Sequence, residues 1–261
     1  MRKLFLVVLV LSLSSCGHSL QEAERHFAQG QYYKTISELN WVLFMKMSNT
    51  EALQLRAMAY EQLKDWNNAL MDYKLILQMK PEDGIAYAGI GKVYWEQGSY
   101  ILAEKNLLLA ARYRDDDAEL MILLGRAMIK NKNFQSADLF LLKATELEPK
   151  LAKAYFYRGI VQAHLGDAMG SASQFNMYLM YAEDNIKAYY NRGFAMLSMG
   201  MTDWAREDFE FVLKHNPKHH EALARHAVCI MSSNPGKACA DLQLAANKGS
   251  EFAKEHLKLC R

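Results

Sequence analysis

Four cysteines, eight histidines and fifteen methionines are the residues through which this chain could do thiolate or metal chemistry. His226 and Cys229 stand three apart, a spacing that puts an imidazole and a thiol on one helical face, where the ring could take the thiol proton. The plainer reading is a packed thiol beside a surface imidazole, and the sequence favours it. His215, His219 and His220 fall together in one loop. Loop histidines can bind zinc, but no carboxylate or thiol is fixed beside these, so no metal is expected. Methionines at helical spacing read as core filler. No HExxH, P-loop, GxSxG or CxxC motif occurs, and Gly89-Ile90-Gly91 has no third glycine in place and follows no strand. No catalytic residue and no cofactor is expected. A dense Lys/Arg stripe is missing and the formal net charge is +2, so no nucleic-acid partner is expected either.

The elements that would position any site are written as a period of 34 residues. Tyr155-Phe156-Tyr157-Arg158-Gly159 is answered by Tyr189-Tyr190-Asn191-Arg192-Gly193. The same step from Gly159 lands on Ala23, Ala57, Gly91, Gly125, Gly193 and Ala227. A second ladder of small residues runs Thr35, Ala69, Ala103, Ala137, Ser171, Ala205 and Cys239. Large apolar residues follow four places on, at Leu39, Tyr73, Leu107, Leu141, Phe175 and Phe209. Pro81, Pro149 and Pro217 share another rung. Each period holds two amphipathic runs divided by a short turn, as at Lys64-Asp65, Gly98-Ser99 and Gly166-Asp167. The small rungs let two antiparallel helices approach, the large rung fills the space beside them, and proline ends the second helix. One such pair cannot bury its apolar faces alone, so neighbours must stack.

These residues resemble the tetratricopeptide repeat family, and the resemblance covers residues 16 to about 245. It implies an all-α, right-handed superhelical solenoid of about seven helix-turn-helix repeats. They are expected near 16–49, 50–83, 84–117, 118–151, 152–185, 186–219 and 220–249. A capping helix over 250–261 follows, and the whole is expected to form one elongated domain. Around Ala238-Cys239 the seventh repeat reads as slipped by one residue.

Met1-Arg2-Lys3, the apolar run Leu4 to Leu11 and the small residues Ser12 to Ser15 read as a signal peptide over 1–15, too short in its apolar part to span a bilayer. Leu13-Ser14-Ser15-Cys16 resembles a bacterial lipobox, which implies cleavage before Cys16 and its acylation. The mature chain would then have 261 − 15 = 246 residues. Resemblance to bacterial lipoproteins implies the periplasmic face of the outer membrane, since Gly17 is not the aspartate that often retains such proteins in the inner membrane.

In the resembled family, partners bind the face lined by the first helix of each repeat, three places before the Ala/Gly rung and one and four after it. Here that face is Gln54, Met58 and Glu61; Ala88, Lys92 and Trp95; Ile122, Arg126 and Ile129; Phe156, Ile160 and Ala163; Tyr190, Phe194 and Leu197. Its later part is unusually apolar, and Trp95, Ile122, Arg126, Ile129, Phe156, Ile160, Tyr190, Phe194 and Leu197 are the candidate protein-binding groove. The expected role is a non-enzymatic envelope adaptor that holds a segment of another protein, of the pilotin or enzyme-docking kind. The alternative is a structural protein whose groove is filled by its own terminal helix or by a second copy.

Export would place Cys229, Cys239 and Cys260 in an oxidising compartment. Antiparallel helices meeting near Gly249 set Cys239 opposite Cys260, the favoured pairing. A turn at Asn234 would set Cys229 opposite Cys239 instead, and three free thiols are the third possibility.

Overall fold

The computed structural model describes residues 19–182 and 184–260. The signal peptide expected over 1–15 and Cys16 lie outside them. The described residues form fifteen α-helices and one 3-10 turn, with no strand. They divide into two compact units, with the boundary between Gly98 and Ser99.

The N-terminal unit holds α1 (Leu20–Ala28), α2 (Tyr32–Met45), α3 (Thr50–Gln62), α4 (Trp66–Met79) and α5 (Gly84–Glu96). The C-terminal unit holds α6 (Tyr100–Tyr113), α7 (Ala118–Lys130), α8 (Phe134–Leu147), α9 (Ala152–His164) and α10 (Ala168–Tyr181). It continues through α11 (Ile186–Ser198), α12 (Thr202–His215), α13 (His220–Cys229), α14 (Pro235–Asn247) and α15 (Glu251–His256), and ends in a 3-10 turn, Leu257–Cys260. Within each unit every helix packs on the next, and alternate helices α7 and α9, or α11 and α13, also touch. This is the stacked helix-turn-helix architecture that the period required.

Local chemistry sets the helix limits. Asn49, Asp65, Asp83, Asp117, Asp167 and Asn185 each accept a backbone N–H from the first turn that follows, with their side chain. The turn inside each pair needs one residue in the left-handed region. Gly30, Lys64, Gly98, Lys132, Gly166 and Gly200 supply it, again 34 residues apart, with φ from 58° to 81°. Glycine takes this conformation freely, whereas a lysine there is strained.

The ladders are the core. Thr35, Ala69, Ala103, Ala137, Ser171 and Ala205 are fully buried, as are Leu39, Leu107, Leu141, Phe175 and Phe209. Helical glycines give the facing side chains their room: a Cβ on Gly125 would stand 2.6 Å from Leu141 Cγ, and one on Gly159 2.9 Å from the Phe175 ring. In the seventh repeat Ala238 and Leu242 are buried and Cys239 is only half-buried, which is the one-residue slip.

Polar ties recur on the same period. Arg56 donates to Asp72 at 2.8 and 2.7 Å and to Asn40 Oδ1 at 2.7 Å. Arg192 repeats the pattern with Asp208, at 2.9 and 2.6 Å, and with Asn176, at 2.8 Å. Gln174 stands where the fifth repeat would need the aspartate, and Arg158 turns back to Asp138 at 3.0 Å. The array closes on α15, whose N-cap Ser250 is buried. Cys239 is bonded to Cys260, Cα to Cα 5.6 Å, and Cys229 is a free thiol. No helix among the described residues is long and apolar enough to cross a membrane.

Candidate protein-binding cleft

The expected face does not open uniformly. The residue one place after the small rung is exposed in three of the sets, at Met58, Lys92 and Phe194, whereas in the set of Phe156 and Ile160 it is Ala163 that is exposed. Ile122, three places before its rung, is buried at 2% inside the C-terminal unit and cannot meet a partner. Phe156 holds the same position one repeat later. Its ring packs edge-on to Phe175 at 5.8 Å and against Tyr178 at 5.1 Å, so it belongs largely to the core. Leu197 packs on the cluster of Phe209 and Val212. Ile129 is half-buried. Trp95 lies on α5, in the N-terminal unit.

Three of the expected residues come together. Ile160 from α9, with Tyr190 and Phe194 from α11, line a cleft of about 410 Å³ in the C-terminal unit. Ala163 and His164 close one side, Phe175 lies at its base, and Asn191 and Arg225 supply its polar edge. Tyr190 is half-buried, and burial raises its phenol pKa, with Arg225 opposing.

Arg225 was not anticipated. Its guanidinium carbon stands 5.6 Å from the Tyr190 ring centre, 5.2 Å from Phe194 and 4.4 Å from Phe252 of the capping helix. Glu221, one turn back, accepts from its Nη1. Burial opposes ionisation of Glu221, but Ser250 and Arg225 outweigh it and hold the carboxyl below the usual range. Arg225 and Asn191 share one repeat position, two places before the rung. That position is one turn from the exposed row, so helical spacing placed it on the same face.

A larger hollow of about 720 Å³ lies beside α6, and there Asn131 and Asn133 both donate to Glu104. Of the three histidines expected in one loop, His219 caps α13, its Nδ1 accepting from the Ala222 N–H at 3.1 Å, and His215 Nδ1 lies 2.8 Å from the Phe211 carbonyl of its own helix. Among the described residues no three His, Cys, Asp or Glu side chains are placed to hold a metal. His226, expected at the surface, is buried beside Glu210, its Nε2 3.5 Å from the carboxylate. Burial pushes the Cys229 thiol up to about 11, the reverse of what a nucleophile needs.

Stacked helix pairs of fixed period with an aromatic cleft on their first helices define an α-helical repeat scaffold, a class that works by binding protein or peptide partners. The chain carries tetratricopeptide repeats: the profile of that repeat matches residues 50–83 and 118–151. It is 31% identical over 174 residues to Protein FlbA of Caulobacter vibrioides, an alignment covering 66% of this chain and 29% of that protein. The chain spans 29%, 26% and 42% of the lengths of three curated relatives that it matches. Among solved structures it is similar to YrrB, described as a TPR protein with an unusual peptide-binding site. The TM-score is 0.67 at 23% identity, covering 71% of this chain and 95% of that one. It is also similar to the C-terminal part of a TPR repeat-containing protein of Cytophaga hutchinsonii. Here the TM-score is 0.68 at 17% identity, with coverage of 91% and 98%. At these identities the structural likeness concerns the fold.

Proposed function

We propose that the protein is a non-enzymatic, lipid-anchored envelope adaptor that holds a segment of another envelope protein in the cleft of its C-terminal unit. The carrying observation is the convergence of Ile160, Tyr190 and Phe194 with Arg225 around one open hollow. Aromatic side chains beside an arginine are the composition in which interface energy concentrates. Phe194 is well exposed, and soluble surfaces seldom keep such rows without use. The polar edge of Asn191 and Arg225 suits the backbone carbonyls of a bound segment whose apolar side chains enter between Ile160 and Phe194. The lipid anchor rests on Leu13-Ser14-Ser15-Cys16 alone, and the outer membrane is the location that goes with it. The peptide-binding site in the printed description of YrrB accords with this reading.

The alternative, a cleft filled by the chain's own last helix, is disfavoured by a specific contact. Phe252 of α15 meets Arg225, while the hollow between Ile160 and Phe194 is left open. The test is Tyr190→Ala with Phe194→Ala. Capture of the partner by cross-linking from position 191 in living cells should be lost, while the melting temperature falls by only a few degrees. Capture that persists in the folded double variant overturns the cleft as the site. A cross-link to a second copy of the chain favours the self-associating alternative.

A further inference from the structure

The first repeat carries a stripe of large aromatic and apolar side chains, exposed on its second helix. On α2, Tyr33, Trp41, Phe44 and Met45 are exposed at 78%, 51%, 76% and 80%, and Met47 just beyond is exposed at 82%. Trp41 and Phe44 meet edge-to-face at 6.0 Å. Tyr33, Trp41, Phe44 and Met45 fall on one helical stripe that Ser37 continues, beside a shallow hollow lined by Ser37, Asn40, Trp41 and Phe44. The period shows what is unusual. Where this repeat has Phe44, its successors have Gln78, Arg112, Glu146, Met180 and Lys214. Where it has Met47, they have Pro81, Asp115, Pro149, Glu183 and Pro217. Other repeats expose apolar residues too, such as Met79, Ile101 and Met180, but the first adds Phe44 and Met47 beside Trp41, and a patch of this kind is seldom left without use.

We infer that the cover is a lipid bilayer surface, on which the α2 end of the first repeat rests. Two further observations select this occupant. The first is where the chain enters. α1 and α2 are antiparallel about Gly30, and Leu20 and Val42 pack on one core with Leu39 and Leu43. Ser19, the N-cap of α1, therefore stands beside the Trp41 end of α2. Cys16 is three residues upstream, so any lipid that it carries is tethered within about 11 Å of Ser19. An anchor there presents this patch to the membrane. The second is charge: Tyr33 to Ser48 contains Lys34 and Lys46 against one acidic residue, Glu38. A tryptophan, a phenylalanine and methionines beside a lysine suit the boundary between headgroups and acyl chains, and a lysine suits anionic lipid. The inference rests in part on the proposed anchor at Cys16, and the experiment separates the two.

The full chain, made with its own leader, is extracted and reconstituted into vesicles of phosphatidylethanolamine and phosphatidylglycerol. In one variant Trp66→Phe, Trp95→Phe and Trp204→Phe leave Trp41 as the fluorophore; in a control Trp204 is the one retained. Lipids brominated on their acyl chains should quench Trp41 at least twofold and leave Trp204 unchanged. Trp41 unquenched in protein that floats with the vesicles overturns the docking. So does Trp41 shielded from acrylamide before vesicles are added, because a second copy or the leader then covers the patch. Should the triple variant fail to fold, a photoreactive phenylalanine analogue in place of Phe44 takes its place. Cross-links to phospholipid support the docking, and cross-links to protein overturn it. The mass of the purified chain reports acylation of Cys16 separately. An unacylated chain with Trp41 quenched loses the anchor and keeps the docking; an acylated chain with Trp41 unquenched does the reverse.

Discussion

Phe194 and Arg225, 225 − 194 = 31 residues apart, hold guanidinium and ring at 5.2 Å, and Arg126 and Tyr157, 157 − 126 = 31 apart, make the same contact at 5.1 Å with cation and ring exchanged. The residue one place after the rung in one repeat meets the residue two places before the rung in the next. A cation over an aromatic face is worth about 0.5–1 kcal/mol where exposed and more where desolvated. The contact therefore fixes the walls of the cleft without closing it. At the C-terminal end the same arginine also lies over Phe252, so the cap, α13 and the cleft share one side chain.

Cleaving the Cys239–Cys260 bond should loosen that arrangement. It closes a loop over a sequence separation of 21. A loop of that length stabilises a fold by about 3 kcal/mol. Cys260→Ser should lower the melting temperature by several degrees, and reductant should do the same to the natural chain and nothing to the variant. Partner capture through the cleft should weaken as Phe252 leaves Arg225. An unchanged melt would show that the last helix adds nothing to the fold.

Arg192→Leu should be among the costliest single changes. Asp208 has a side chain 4% exposed and receives two hydrogen bonds from Arg192. Removing one partner of a buried pair costs about 3–5 kcal/mol, and the partly open arginine places this case near 3. The double variant Arg192→Leu with Asp208→Leu should recover most of the loss, since no charge is left buried. Urea titration of the three proteins decides it; a single-variant loss under about 1 kcal/mol would refute the pairing as described.

Two positions of the period should respond in opposite directions. Gly125→Ala brings a Cβ to 2.6 Å from Leu141 Cγ and 2.9 Å from its Cδ2. Overpacking of this kind costs about 1–3 kcal/mol, more than the roughly 1 kcal/mol that alanine adds to a helix. Lys132→Gly relieves a left-handed lysine at φ 64° and should gain about 0.5–1 kcal/mol after the entropy of glycine is counted. Thermal unfolding of both variants gives the two signs.

The Cys229 thiol should behave as a buried acid. Burial raises it from 9.0 to about 11, with Arg206 opposing. A group raised in the folded state contributes stability that is fully present below its unfolded pKa. That stability is lost as pH rises through the folded value, here between about 9 and 11. Alkylation by iodoacetamide, followed on the Cys229 peptide, should be slow at neutral pH and rise toward a midpoint near 11. Fast labelling at pH 7 would show a thiolate that the packing does not permit.

Much of this was legible in the chain itself because a stacked fold repeats its local packing. Each small rung faces the same neighbour at every step, so Gly125, Gly159 and Gly193 appear at one spacing and their large partners at another. The turn residues follow the same rule, down to Lys64 and Lys132, which take the glycine conformation without being glycine. The antiparallel count about Gly249 depended only on helix rise, and the structure pairs Cys239 with Cys260.

The face was legible, but its exposure was not. Phe156 and Tyr190 occupy the same repeat position and pack alike on Phe175 and Phe209, yet only Tyr190 of the two also lines the cleft. Ile122 shares that position and is buried. His226 reads as a surface imidazole until α12 covers it with Glu210.

Sequence alone determined the period, the helix pairs, their turns, the core ladders and the capping helix, because each depends on residues near in the chain or at one constant separation. Tertiary structure alone decided which face residues open to solvent, that Arg225 joins three rings, and that the first repeat keeps an aromatic stripe exposed. Those outcomes depend on what the neighbouring helix presents at each step, which the period of the sequence does not fix.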